Sequence, residues 1–403
     1  MRFTYMVLMV LGLTGLISWL NYIVLARQFD FYRQQGVRYA YWLVSAGALA
    51  VTYYSRIKPP SSVRPADEFF YWLLYAALAW ICGQLALILF QAIFYIAERV
   101  LFFAAKLARP AEYSGTAITR RKFLQGAATV LPLVSVGTGA RGIYQAQVEM
   151  AVRKYNLTFP DLPANLNGYK IGQISDTHLG PYFSLERLDT VIQLLKEEQP
   201  DVVVITGDLA DDLQLLRPAL SRLDALVPFI PQGIYFCFGN HEYIRDIARF
   251  RAELANSRLV LLENSSQMIV PGEQPLYLLG VDYPGSDVSR SALDISVSRR
   301  QQFFAAANEN IPEKAFKILL AHHPDFLFDG FAAQIPLTLA GHTHGGQVVI
   351  GGKSLLDQHV YMRGLYQENG VYGYVSCGAG HWFPFRLGCP PEISLFTLHG
   401  STN

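Results

Sequence analysis

Five short apolar runs in the second half of this 403-residue chain each stop at residues able to hold a metal. Tyr169–Ser175 leads into "DTH", Asp201–Thr206 into "GD", Gly233–Phe238 into "GNHE", Phe316–Ala321 into "HHPD" and Ile335–Ala340 into "GHTHGG". Runs of this length and composition predict buried strands, while the helical spacing of apolar residues in Leu185–Glu198 predicts a helix between the first two. The result is a βαβ rhythm, and in open α/β sheets ligands gather at the carboxyl ends of strands. A single aspartate or histidine after a strand is ordinarily a turn former or a helix cap. Five endings that share carboxylates, an amide and imidazoles point instead to a metal centre. Gly207, Gly239, Gly341, Gly345 and Gly346 would let the backbone bend there and approach an ion.

The first third has a different texture. All nine histidines lie at or after His178, and the chain as a whole is 51% hydrophobic and only 16% charged, a composition too apolar for an ordinary soluble protein. Phe3–Ala26 carries no charge and is long enough to cross a bilayer as a helix. Tyr39–Ser55, with aromatic residues at both ends, predicts a second span, and Phe69–Ala97 a third, extended by the amphipathic stretch Arg99–Lys106. Residues 1–110 therefore read as an all-α transmembrane region. These spans lack ionisable residues in their centres, so they suit an anchor better than a transport path.

Residues 111–150 form a basic linker with a fourth apolar segment. Thr119–Gln125, "TRRKFLQ", resembles a twin-arginine export signal, and it reads equally as a basic anchor before a span through Gly126–Ala140. Either reading keeps Arg120 and Arg121 in the cytoplasm. With four spans, Arg27, Arg33, Arg38, Lys106, Arg109, Arg120, Arg121 and Lys122 share one side, against Arg2, Arg56, Lys58 and Arg64 on the other. That bias predicts a multi-pass protein of the bacterial inner membrane with residues 151–403 on the extracytoplasmic side. A net charge of +1, with no large basic block in the C-terminal part, gives no case for a nucleic-acid partner, and none is expected. Cys82, Cys237, Cys377 and Cys389 lack CxxC spacing and read as buried free thiols. No sequence feature fixes an oligomeric state.

Asp176-Thr-His178, Gly207-Asp208-Leu-Ala-Asp211, Gly239-Asn240-His241-Glu242, His322 and Gly341-His342-Thr-His344 resemble, in order, the five blocks of the calcineurin-like metallophosphoesterases. The resemblance runs from about Leu157 to Leu398, because "GHTHGGQ" and "RLGCPPEISLFTL" are similar to the membrane-associated bacterial branch of that superfamily. It implies an α/β (α+β) fold for residues 151–403, a four-layer αββα sandwich of two sheets with helices outside. It also implies two divalent ions, with Asp176, His178 and His344 on one, Asn240, His322 and His342 on the other, and Asp208 bridging. A mixed nitrogen and oxygen donor set suits Mn, Fe or Zn. By the same resemblance a metal-bridging hydroxide attacks a phosphate ester, and His241 either protonates the leaving oxygen or stabilises charge on phosphorus.

The neighbouring residues keep two readings each. Asp211, Asp212 and Glu242 either orient ligands or cap turns; His381 either faces the site or packs; Trp382, Phe383 and Phe385 form an apolar lip or ordinary packing. His323 is outside the family's ligand pattern. The expected substrate is a phosphodiester, phosphomonoester or pyrophosphate, preferably lipid-linked. The alternatives are an enzyme resembling the diacylglucosamine-nucleotide pyrophosphatases of lipid A assembly, whose substrates are cytoplasmic, and a catalytically silent membrane scaffold.

Overall fold

The computed structural model describes residues 2–57, 68–107, 120–285, 296–355, 359–381 and 383–401. Lys58, Arg64, Arg109 and Trp382, together with residues 111–119 of the basic linker, lie outside them. The chain divides into two compact units, Met1–Tyr144 and Gln145–Asn403.

The first unit is helical: α1 (Arg2–Gln28), α2 (Gln35–Ile57), α3 (Glu68–Leu107) and most of α4 (Arg120–Val148). Among the described residues one stretch, Trp72–Ala97 within α3, is long and apolar enough to cross a membrane. Several uncharged polar side chains of this unit, Asn21 and Gln84 among them, turn inward. The Asn21 amide donates to the Gln84 carbonyl and side chain, each at 2.8 Å, and the Tyr41 hydroxyl, with one hydrogen to give, lies 2.7 Å from Ser18 O and 2.9 Å from Gln84 Oε1. Leu13, Leu43, Trp72, Leu89, Ile93 and Ile96 are exposed instead. Small residues bring α3 and α4 together: a Cβ on Gly139 would stand 2.3 Å from the Ala79 carbonyl oxygen. This close approach is of the kind that joins helices where hydrophobic burial gives no drive. The α4 helix also outruns the apolar segment, because Arg141–Val148, of mixed polarity and without proline, continues it.

The second unit begins with β1 (Ala151–Phe159), β2 (Lys170–Ile174), α5 (Leu185–Glu198), β3 (Val202–Thr206), α6 (Leu213–Leu226), β4 (Ile234–Cys237), α7 (Asn240–Arg245), α8 (Ile247–Ala255) and β5 (Val260–Leu261). It continues with β6 (Ser265–Val270), β7 (Leu276–Gly280), α9 (Val297–Ala307), β8 (Phe316–Leu320), α10 (Phe326–Ala332) and β9 (Leu337–Ala340). A small ribbon follows, β10 (Val349–Ile350) with β11 (Lys353–Ser354), and then β12 (Gly364–Glu368), β13 (Val371–Val375) and β14 (Glu392–Gly400). Two mixed sheets form, in the orders β1-β14-β2-β3-β4-β5 and β12-β13-β9-β8-β7-β6. The strands β2 to β5 run parallel, as do β7, β8, β9 and β13, so the loops after β2, β3 and β4 leave one sheet and those after β8 and β9 leave the other at like ends.

Strand periodicity explains the layering. On β3, Val202 and Val204 point between the sheets, where they meet the core of Leu278, Ile318, Leu320, Leu337 and Leu339. Val203 and Ile205 point the other way, onto Leu188, Val191 and Leu195 of α5 and Leu215 and Leu223 of α6. The outer face of the second sheet places Leu279 and Leu319 against Ala307 of α9 and Phe326 of α10. Each such fully buried aliphatic side chain contributes about 1.5–3 kcal/mol, which fixes the two sheets firmly enough to hold five loops in register.

Candidate metal centre

Every strand ending singled out in the sequence delivers its polar residues to one place. Asp176 and His178 follow β2, Asp208 follows β3, Asn240 and His241 open α7 after β4, His322 follows β8, and His342 and His344 follow β9. Asp208 Oδ2 lies 3.3 Å from His322 Nε2, 3.6 Å from His178 Nε2 and 4.0 Å from His241 Nε2. On one side of it His178 Nε2 and His344 Nε2 are 3.0 Å apart, and His344 Nε2 is 3.6 Å from Asp176 Oδ1. On the other side Asn240 Oδ1 is 3.0 Å from both His322 Nε2 and His342 Nδ1, which are 3.1 Å from each other.

The glycines allow these contacts, but most of the bending is done by the ligands. Asp176 (φ 53°), His178 (φ 48°), Asp208 (φ 55°), His342 (φ 73°) and His344 (φ 50°) are all left-handed, a conformation that costs a non-glycine residue about 1–3 kcal/mol and clusters at functional sites. Gly239 and Gly341 serve close approach instead: a Cβ on either would fall 2.3–2.4 Å from a carboxylate oxygen of Asp208 or Asp176.

A ring of further groups holds the centre. The His322 Nδ1–H donates to the Thr206 carbonyl at 2.8 Å, which leaves its Nε2 lone pair inward. Asp211 Oδ1 accepts from His241 Nδ1 at 2.5 Å, and its Oδ2 lies 3.5 Å from His178 Nδ1, the relation in which a carboxylate orients a metal-binding imidazole. Glu242 is fully buried and accepts three backbone N–H groups, from Gly239 at 2.7 Å, Leu209 at 2.8 Å and Asp208 at 3.0 Å. Asp212 instead caps α6, accepting from Gln214 N at 2.9 Å.

Burial pushes the Asp208 carboxyl up, but the His322, His241 and His178 imidazoles outweigh it and hold the group well below the usual range. Burial alone pulls His322 and His241 down; the surrounding carboxylates, Asp208 foremost, raise them to about 10 and about 9. His342 and His344 are kept neutral, chiefly by burial. Pairs of ring nitrogens about 3 Å apart beside two buried carboxylates suit a cation, which would take the place of the extra proton that His322 holds in the metal-free chain, and the donor set fits transition-series ions or zinc. The groups Asp176–His178–His344 and Asp176–Asp208–His322 each bring ligand atoms within 4.8 Å of one another.

The sequence reading did not single out Arg386. This side chain is fully buried, donates to the His344 carbonyl at 2.8 Å and to the Gly380 carbonyl at 2.6 Å, and lies 3.0 Å from His344 Nδ1. His381 is buried, and its Nε2 meets the Gln147 amide at 2.8 Å. Phe383 and Phe385 are half-buried. Cys237, Cys377 and Cys389 are buried free thiols, whereas Cys82 is partly exposed.

The model of the calcineurin-like phosphoesterase family matches residues 169–346, which contain all five strand endings. The metallophosphoesterase YkuE of Bacillus subtilis is 30% identical over 301 residues, covering 71% of this chain and 99% of that protein. A metallophosphoesterase of Aquifex aeolicus is 30% identical over 266 residues, 63% of this chain and 94% of its own. A Bos taurus transmembrane protein with a metallophosphoesterase domain is 30% identical over 295 residues, 70% of this chain, which spans 64% of that relative.

Proposed function

The chain belongs to the calcineurin-like metallophosphoesterases and is a metal-dependent phosphoesterase, and on that premise we propose a membrane-anchored hydrolase that works with two divalent ions. The observation that carries this reading is the approach of one carboxylate oxygen, Asp208 Oδ2, to the imidazoles on both of its sides. Asp176, His178 and His344 would hold one ion, Asn240, His322 and His342 the other, and Asp208 both. When bound, such a pair supplies a water-derived nucleophile near neutral pH and positive charge for the phosphoryl oxygens. Mn, Fe and Zn all suit the donors.

His241 would carry the proton to the departing oxygen. Its Nδ1 is committed to Asp211, so Nε2 is the nitrogen free to donate; in the metal-free chain Asp208 and Asp211 raise its affinity for that proton. Asp211 would keep His178 and His241 aligned, Glu242 would fix the loop that carries Asp208, and Arg386 would fix the loop that carries His344.

The substrate is a phosphodiester, phosphomonoester or pyrophosphate, and a lipid or lipid-linked molecule is preferred. An apolar exterior with amides and hydroxyls inside, as in the first unit, suits lipid surroundings, and the bovine relative's name favours the same setting. We infer a multi-pass anchor with the catalytic unit outside the cytoplasm.

The test is hydrolysis of matched chromogenic mono- and diesters by the detergent-solubilised full chain, loaded separately with Mn²⁺, Fe²⁺ and Zn²⁺. Metal-dependent turnover is expected, reduced about 10²–10⁴-fold in His241→Ala with ion content unchanged. Full activity in that variant removes the role of His241. No turnover with any metal, in a folded chain holding two ions, favours a binding scaffold.

A further inference from the structure

The second histidine of "HHPD" is buried where no ligand role uses it. His323 is 1% exposed, and its ring centroid lies 4.9 Å from that of His342 and 5.0 Å from that of His359. One ring nitrogen from each of these three histidines falls within 4.8 Å of the others. This grouping resembles a third metal site, but the backbone argues against one. The Asp325 N–H donates to His323 Nδ1 at 3.2 Å, so that nitrogen bears the lone pair and Nε2 bears the hydrogen. A metal at Nε2 would require the other tautomer, which sets two N–H groups against each other. In the structure His323 Nε2 is buried without a hydrogen-bond partner, and an N–H in that position needs an acceptor.

We infer that His323, with His359 beside it, forms a hydrogen-bonding subsite for a phosphoryl oxygen of the substrate, next to the His342 side of the metal centre. This rests on the phosphoesterase reading and adds a recognition element to it. His359 also lines a cavity of about 530 Å³ whose wall includes Lys353, Arg363 and Arg153, and Arg153 is paired with Glu392 at 3.6 Å. The cationic wall suits an anionic substituent beyond the phosphorus, as a diester or pyrophosphate provides.

The test uses the Mn²⁺-loaded full chain, with ion content measured by elemental analysis and inorganic phosphate binding by calorimetry. His323→Phe should retain two ions and bind phosphate about tenfold or more weakly, the effect of losing a hydrogen bond to a charged group. His323→Gln, which restores an N–H donor, should recover most of the affinity. Three ions in the unaltered chain, loss of an ion in His323→Phe, unaltered phosphate affinity in that variant, or no phosphate binding by the unaltered chain would each overturn the inference. Absence of ester hydrolysis by the unaltered chain would count separately, against the phosphoesterase reading alone.

Discussion

Asp211 shows how much one carboxylate can set at this centre. Its two oxygens face His241 Nδ1 and His178 Nδ1, and with Asp208 it raises His241 to about 9. The sign of the linkage follows. In the metal-free chain this pairing stabilises the fold fully below about pH 6.5, the ordinary histidine value. That contribution is lost as pH rises through about 9. Asp211→Asn cannot hold the imidazolium, so the alkaline limb of kcat/KM should move to lower pH, and activity should fall about 10–100-fold. A pH profile at fixed Mn²⁺ checks this; an unmoved limb would remove the charge of Asp211 from the proton donor's control. That five apolar runs end at metal-ligating residue types was readable from the sequence itself, whereas the roles of the seven proposed ligands and of His241 came only from the family resemblance. Arg386 was not readable, since it reaches His344 from 42 residues away through a loop without periodicity. The left-handed backbone of Asp176, His178, Asp208, His342 and His344 was equally hidden, because glycines beside them suggested that the bends would fall on glycine.

Among elements, the short helix α7 carries more than its length suggests. It opens with Asn240 and His241, and its Glu242 reaches back to three amides around Asp208. Glu242→Gln would turn an N–H₂ group toward one or more of those donors. The unmet donors should cost about 1–3 kcal/mol, and for a chain of this size that is a drop of several degrees in Tm. Thermal unfolding of the metal-free chain measures it, and a Tm equal to that of the unaltered chain would show that the clamp is not needed. The five strands read from the sequence were placed to within a residue or two, Asp201–Thr206 forming β3 as Val202–Thr206, and the helix read at Leu185–Glu198 forms α5; the strands without a polar ending, such as β1 and β14, were not read. The end of α4 was not, because residues Arg141–Val148 lack the apolar continuity that marked the segment before them. Hydrophobicity reports what surrounds a helix, and propensity alone carries it onward.

At the scale of the molecule, the helical unit buries Asn21, Tyr41 and Gln84 and exposes leucine, isoleucine and tryptophan, while the second unit buries its apolar side chains between and outside two sheets. The two units therefore suit different surroundings. Alkaline phosphatase and green-fluorescent reporter fusions placed after Met150 should give phosphatase activity and no fluorescence if the catalytic unit is extracytoplasmic. Fluorescence alone would reverse the sidedness. The division between an apolar first third and a histidine-bearing remainder was plain in the sequence; the packing of the helices, which depends on Gly139 meeting Ala79 and on Gln84 meeting Asn21, was not. The most direct measurement of the whole is a Mn²⁺ titration of the metal-free full chain, following phosphodiester turnover and bound ions in the same samples. Turnover should rise with occupancy and saturate at two ions per chain in the unaltered protein, and Asp208→Asn should lose both the second ion and the activity. Turnover that is indifferent to Mn²⁺, or that persists undiminished in Asp208→Asn, would contradict a dinuclear centre built on these residues.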